Sequence, residues 1–300
     1  MRIAASLPAA ALIAAVAWTA SLGPALILGL HPAMLAGLGA CLLLGIAMLV
    51  AGARSEDAGA GKTRGVFHSA AKLVGLALVL LLAAATAWLR PLPAESEALA
   101  TVDGIAITET ATEISLGADA PHERGFAFQP GAKVAPHAYI PILAKVAKAC
   151  DCELVIVKQP LQIGFLAPNA VDAVRKEHPE VTRWALGGHS LGGVVAARAA
   201  DEDPSIDALV LWASYPAEPL ARTDLNVASI WGSADGLATS EKRAAAASRL
   251  PSSAAVTIVE GGVHSFFGDY GMQPGDGTPS VSREDAQARI IEATLAALAR

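Results

Sequence analysis

Arg183-Trp184-Ala185-Leu186-Gly187-Gly188-His189-Ser190-Leu191-Gly192-Gly193-Val194-Val195-Ala196-Ala197-Arg198 is the stretch on which the reading of this chain turns. A short apolar run enters Gly188-x-Ser190-x-Gly192, and a run of small, helix-compatible residues leaves it. That is the strand, sharp turn and helix of a nucleophile elbow. Glycines two before and two after the serine remove the Cβ atoms that would collide as the chain reverses. Ser190 can then take a strained backbone conformation, with its Oγ standing clear of a sheet edge. The Leu191 N–H, at the expected helix start, points to where an oxyanion would form. The five-residue pattern also fits an ordinary strand-to-helix turn, so its surroundings decide.

An elbow serine needs an acid and a base later in the chain, each just past a later strand. Asp235 stands in Ile230-Trp231-Gly232-Ser233-Ala234-Asp235-Gly236, four residues beyond an apolar run. His264 stands in Glu260-Gly261-Gly262-Val263-His264-Ser265-Phe266-Phe267, again after a strand-like run. The order Ser190, Asp235, His264 is the one this architecture requires. Of the seven histidines, only His264 follows the elbow. Asp207 precedes its strand, and Asp269 follows His264 by only five residues, so both are weaker candidates for the acid. An Asp after a strand is otherwise a turn or cap residue, and a His in a Gly-rich loop a turn residue. Three residue types in the right order outweigh those readings. A second oxyanion N–H is expected from Gln129-Pro130-Gly131-Ala132-Lys133, with Gly131 or Ala132 the donor. The alternative there is a plain Pro-Gly turn with Lys133 a solvated charge.

Around these motifs, short apolar strands alternate with helical patterns. Strands are expected at Ile105–Glu109, Glu113–Leu116, Gly125–Gln129, Glu153–Lys158, Ala208–Trp212, Val227–Trp231 and Ala255–Val259, besides the elbow strand. Helices are expected through Tyr139, Ile142, Leu143 and Val146, over Asn169–His178, and over Arg283–Leu298. The pattern predicts an α/β fold with a doubly wound, mostly parallel sheet. Only about fourteen residues separate the strands ending at Trp212 and starting at Val227, too few for a cap domain.

The first ninety residues are of another kind. The chain is 53% hydrophobic with a mean hydropathy of +0.46, and from Ile3 to Ala53 it has no Asp, Glu, Lys or Arg. At about 1.5 Å per helical residue that run is too long for one membrane crossing and right for two. With a third apolar segment, transmembrane helices are expected at about 3–30, 33–53 and 66–89. The weaker alternative for the first is a cleaved signal peptide, with Arg2 a thin basic start and Trp18-Thr19-Ala20 a poor cleavage site. Residues 1–90 form the membrane region, 91–100 a linker and 101–300 the globular domain. Arg54, Lys62 and Arg64 place the loop after the second helix in the cytoplasm, and the domain after Arg90 outside. Residues 1–90 carry a net charge of +4 and the remainder −10. An acidic domain without basic clusters argues against nucleic acid as a partner. Cys150 and Cys152 are too close for an easy bridge and are expected as buried, unpaired packing residues.

Four segments together resemble the α/β-hydrolase superfamily, in its small uncapped branch related to dienelactone hydrolases. They are Phe128–Val134, Gly188–Gly193, Gly232–Gly236 and Gly261–Gly271, within residues 101–300. The resemblance implies hydrolysis through an acyl-enzyme on Ser190. Dienelactone hydrolases use cysteine where Ser190 stands, so their substrate is not implied. Ala132 also stands where a second glycine is frequent. The expectation is a multi-pass, membrane-anchored serine hydrolase acting on small-molecule carboxylic esters, with no metal and no organic cofactor. No zinc spacing, phosphate-cradling loop or dinucleotide motif occurs. A peptidase or amidase with the same triad is the first alternative. A non-catalytic, membrane-anchored binding module is the second.

Overall fold

The computed structural model describes residues 2–57, 66–95, 104–117 and 122–299. The chain divides into two compact units, Met1–Pro91 and Leu92–Arg300. In the first, α1 (Arg2–Ala20), α2 (Pro24–Gly29), α3 (Pro32–Asp57) and α4 (Val66–Trp88) follow one another. Among the described residues two helices are long and apolar enough to cross a membrane, over Pro32–Ala53 and Ala71–Trp88. The first apolar segment, expected as one helix over about 3–30, is divided. Gly23 takes a left-handed φ of 98° and Pro24 opens a new short helix. Proline at that place lacks the N–H that would continue α1. Its apolar stretch, Ser6–Ala20, is shorter than either of those two. α1 packs against both α3 and α4, with Ala9 and Leu12 fully buried. Thr19 Oγ1 donates to the carbonyls of Ala15 and Thr86, which satisfies its hydroxyl among apolar helices.

The second unit is built on one eight-stranded sheet. Its strands are β1 (Ala106–Glu109), β2 (Glu113–Gly117), β3 (Arg124–Gln129), β4 (Glu153–Val157), β5 (Arg183–His189), β6 (Ile206–Trp212), β7 (Asn226–Gly232) and β8 (Ala255–Val259). They lie in the order β1-β2-β4-β3-β5-β6-β7-β8. β1 and β2 form the antiparallel opening hairpin and the remaining pairs after β2–β4 are parallel. Side-chain alternation distributes the core to both faces. Phe126, Phe128, Leu154, Ile156, Val210, Trp212 and Ile230 pack under α5 (Ile140–Cys150) and α9 (Arg283–Leu298). Ala127, Val155, Leu186, Leu209, Leu211 and Val227 pack under α6 (Ala170–Glu177) and α7 (Leu191–Glu202). Each fully buried Phe or Leu contributes roughly 1.5–3 kcal/mol by leaving water.

From β3 the chain crosses first to β4 on one side and then to β5 on the other. The carboxyl ends of β3 and β5 therefore adjoin at the point where the winding reverses, the usual place for a ligand site. Between β6 and β7 the chain forms no helix. The entry segment Leu92–Glu95 runs along that edge. Leu92 N–H donates to the Lys133 carbonyl at 2.6 Å, and Ala135 N–H to the Leu92 carbonyl at 3.0 Å. Glu95 N–H donates to the Asp269 carbonyl at 2.8 Å, and its carboxylate pairs with Arg283. The segment expected as a linker thus starts as part of this unit; residues 96–103 lie outside the described residues.

Cys150 and Cys152 form a disulfide, against the expectation of two unpaired thiols. Asp151 between them takes the left-handed conformation, φ 51° and ψ 54°, where α5 ends and β4 begins. That turn folds the chain back so that residues two apart present their side chains to each other, with Cα atoms 5.3 Å apart. Cys41 is the remaining thiol and is buried. Thiol titration of the unfolded chain should find one free cysteine before reduction and three after; three before reduction would show the bridge absent.

Candidate active site

Ser190 sits between β5 and α7 at φ 51° and ψ −122°, a conformation a non-glycine residue holds only at a cost of about 1–3 kcal/mol. Three hydrogen bonds impose it. The Ser190 N–H donates to the Trp212 carbonyl at 2.9 Å, and its own carbonyl accepts from Gly193 N–H and from Ser214 Oγ at 2.6 Å. A Cβ on Gly188 would lie 2.5 Å from the Gly192 carbonyl carbon, and one on Gly192 would overlap the Gln129 and Pro130 carbonyls. The two glycines are therefore there for close approach: α7 starts in direct contact with both β5 and the loop after β3.

Asp235 follows β7 by three residues and His264 follows β8 by five. The structure brings them together: His264 Nδ1 lies 2.8 Å from Asp235 Oδ2, with both side chains essentially buried. A carboxylate can only accept, so Nδ1 is the donor of this bond, and Nε2 is the ring nitrogen that Asp235 leaves free. The other Asp235 oxygen accepts Leu237 N–H at 2.8 Å and Ala238 N–H at 2.6 Å. These bonds fix the carboxylate before it meets the imidazole. Asp269 is engaged elsewhere, with Gln287 Nε2 and Arg283, and burial raises its pKa. Asp207 pairs with Arg183 at the start of β5, at the far edge of the sheet.

Gly131 and Ala132 differ in what their N–H groups do. Gly131 N–H donates to Tyr139 Oη at 2.9 Å, and Tyr139 Oη lies 2.9 Å from His189 Nδ1. Having accepted from Gly131, the phenol donates its own hydrogen to His189. Burial, then the nearby His264, holds the His189 pKa well below its ordinary value, so this imidazole is a neutral acceptor. Ala132 N–H has no hydrogen-bond partner among the described residues. Leu191 N–H is a first-turn donor of α7 without a partner in its own helix. Lys133 holds a left-handed φ of 65°, and its N–H donates to the Gln162 carbonyl. Burial lowers the Lys133 pKa.

His189 also stands against the catalytic candidates. Its ring centroid is 4.5 Å from that of His264 and 5.6 Å from Phe267, on which it stacks. Trp212 and Phe267 belong to the core, Trp212 with its indole N–H on Thr294. Tyr139 escaped the sequence reading because its spacing with Ile142, Leu143 and Val146 marked it as a helix core position. Nothing in that spacing shows a use for the hydroxyl.

The fold and this edge define a hydrolase of the α/β class. Residues 125–288 match the model of the alpha/beta hydrolase family, and the chain belongs to that family. Among solved structures it is similar to a predicted CIB-like hydrolase from Thermoplasma acidophilum, with 16% identity, a TM-score of 0.49, and coverage of 64% of this chain and all of that one. It is also similar to a dienelactone hydrolase from Anabaena variabilis, with 17% identity, a TM-score of 0.48, and coverage of 64% and 96%. A carboxyl esterase from Tuber melanosporum matches at 12% identity and a TM-score of 0.46, covering 68% of this chain and 90% of its own. No curated protein matches the chain.

Removing the Tyr139 hydroxyl leaves a buried N–H on Gly131 and a buried acceptor on His189. Tyr139→Phe should cost about 1–3 kcal/mol. Differential scanning calorimetry should show the larger unit melting roughly 3–10 °C lower. An unchanged melting temperature would mean that the hydroxyl carries no structural bond.

Proposed function

We propose that this chain is a membrane-anchored serine hydrolase cleaving carboxylic esters of small molecules. Ser190 is the nucleophile, His264 the general base and Asp235 the residue that orients the imidazole. The observation that carries the reading is the buried His264–Asp235 pair, with the His264 ring 4.5 Å from that of His189, the residue before the strained Ser190. Ser190 Oγ attacks the ester carbonyl carbon and gives its proton to His264 Nε2. The carbonyl oxygen takes the electron pair, and the N–H groups of Leu191 and Ala132 stabilise it. Ala132 is preferred to Gly131 because the Gly131 N–H is already bonded to Tyr139. As the tetrahedral centre collapses, the carbonyl re-forms and the ester C–O bond breaks. His264 hands its proton to the leaving alkoxide. Water, deprotonated by His264, then cleaves the acyl-enzyme, and Ser190 Oγ takes the proton back. The chemistry needs no metal or organic cofactor.

Ser190→Ala should abolish ester hydrolysis and covalent labelling by a fluorophosphonate probe in the folded chain, a loss on the order of 10³-fold or more. Asp235→Asn should lower kcat by up to about 10⁴-fold. Asp269→Asn should retain most of the activity. Full labelling of the Ser190 variant, or a severe loss in the Asp269 variant alone, would discard these assignments.

We further propose a multi-pass anchor with the domain after Arg90 outside the cytoplasm. α1, 19 residues long and packed on α3 and α4, is the third crossing of that anchor. The orientation does not depend on α1. With Arg54, Lys62 and Arg64 on the cytoplasmic side, a single crossing by α4 carries the remaining chain out. The Cys150–Cys152 bond fits an oxidising compartment. Protease added to spheroplasts should digest the domain and spare the anchor. Protection until the membrane is broken would reverse the orientation.

A further inference from the structure

After the 3-10 turn His264–Phe267 the chain runs without regular structure to α9, and Gln273-Pro274-Gly275-Asp276-Gly277 is a tight turn within that run. Gly275 takes φ 86°, and Asp276 N–H donates to the Gln273 carbonyl at 3.0 Å. The Asp276 side chain turns back toward the catalytic loops. Its Oδ1 accepts His264 N–H at 3.0 Å and Gly236 N–H at 3.3 Å, besides Gly277 N–H at 2.8 Å. Its Oδ2 accepts Ser265 N–H at 2.8 Å. One carboxylate thus bonds the backbone of the base itself and of the residue following the acid. His264 and Ser265 open a 3-10 turn, so their N–H groups have no partner within it, and a negative charge at that end is favourable.

Steric fit points the same way. A Cβ on Gly236 would lie 2.6 Å from the Gly275 carbonyl oxygen and 2.7 Å from Gly277 N, and one on Gly277 would overlap the Ala234 carbonyl. The Gly275–Gly277 turn is pressed directly against Ala234–Gly236, with no side chain between. Lower down, Ala234 N–H donates to the Gly262 carbonyl and Gly261 N–H to Ser233 Oγ. Those bonds join the bases of the two loops. Asp276 is what joins them at the level of Asp235 and His264.

We infer that Asp276 is a positioning residue for the reaction: its carboxylate holds the loops of Asp235 and His264 in register so that the imidazole faces Ser190. The inference rests on the triad proposed above. Asp276→Asn keeps the size but replaces one acceptor oxygen by an NH₂ that faces N–H donors. It removes the charge as well. The loops then shift apart, and a misplacement on the scale of 1 Å costs about 10²-fold in rate.

The test uses the full chain in detergent. Asp276→Asn should still fold, with a single melting transition, and kcat for a nitrophenyl ester should fall by about 10²-fold with KM changed less than about threefold. The low-field proton resonance of His264 Nδ1–H, assigned by its loss in His264→Gln, should weaken or vanish in Asp276→Asn. A wild-type kcat, or a rise in KM alone, overturns the inference, and so does a retained resonance. If Asp276→Asn does not fold, Asp276→Ser, which keeps one acceptor, carries the same comparison. Failure of both to fold makes Asp276 a structural residue and refutes the positioning role. If wild type neither hydrolyses the ester nor takes the fluorophosphonate probe, the hydrolase reading fails on its own, and the resonance still decides whether Asp276 holds His264.

Discussion

A serine at φ 51° does not stay there by its own preference. The conformation persists because β6 takes its N–H, Ser214 and Gly193 take its carbonyl, and two glycines let the first turn of α7 touch the neighbouring backbone. Each of these partners comes from a different part of the chain. The Trp212 carbonyl is available only if β6 lies beside β5, and the Gln129–Pro130 carbonyls only if β3 lies on the other side. The strained residue is therefore held by the assembled sheet, and its place is set only once the central three strands have paired.

Around that residue the loops are held mostly by polar contacts, several of them buried. Asp235 is fixed by two backbone N–H groups, and Gly131 is tied to the elbow through a phenol and an imidazole. Buried polar groups of this kind stabilise only when every partner is present, so they give one defined arrangement where apolar packing would allow several. His189 combines the two roles. Its ring packs against Phe267 and His264, while its Nδ1 terminates the chain of bonds from Gly131.

Much of this was legible in the sequence because the signals are local. The elbow glycines flank their serine, every expected strand is present, and Asp235 and His264 each follow their strand by only a few residues. The meeting of Asp235 and His264 followed from the order of elements, since strands in a parallel sheet end on one edge. What was not legible depends on neighbours remote in sequence. Asp276 reads as a turn residue beside Gly275 and Gly277, because nothing nearby reveals that His264 and Gly236 will face it. Tyr139 reads as core, since its hydroxyl acquires a purpose only when β3 and β5 pair. Paired cysteines two residues apart require the left-handed Asp151, which an Asp in sequence permits without announcing. The break at Gly23-Pro24 carried a local signal, but an uncharged run of fifty residues outweighed it.

The entry segment Leu92–Glu95 gives the larger unit a mechanical character. A load on the chain at Pro91 does not reach a strand of the sheet first. It passes through the two Leu92 backbone bonds into Lys133–Ala135, and through Glu95 into Asp269 and Arg283. Those attachments lie one residue beyond Ala132 and five beyond His264. Tension along the polypeptide is thus delivered to the loop that follows β3 and to the segment that follows His264, the two segments that flank Ser190 in the proposed site.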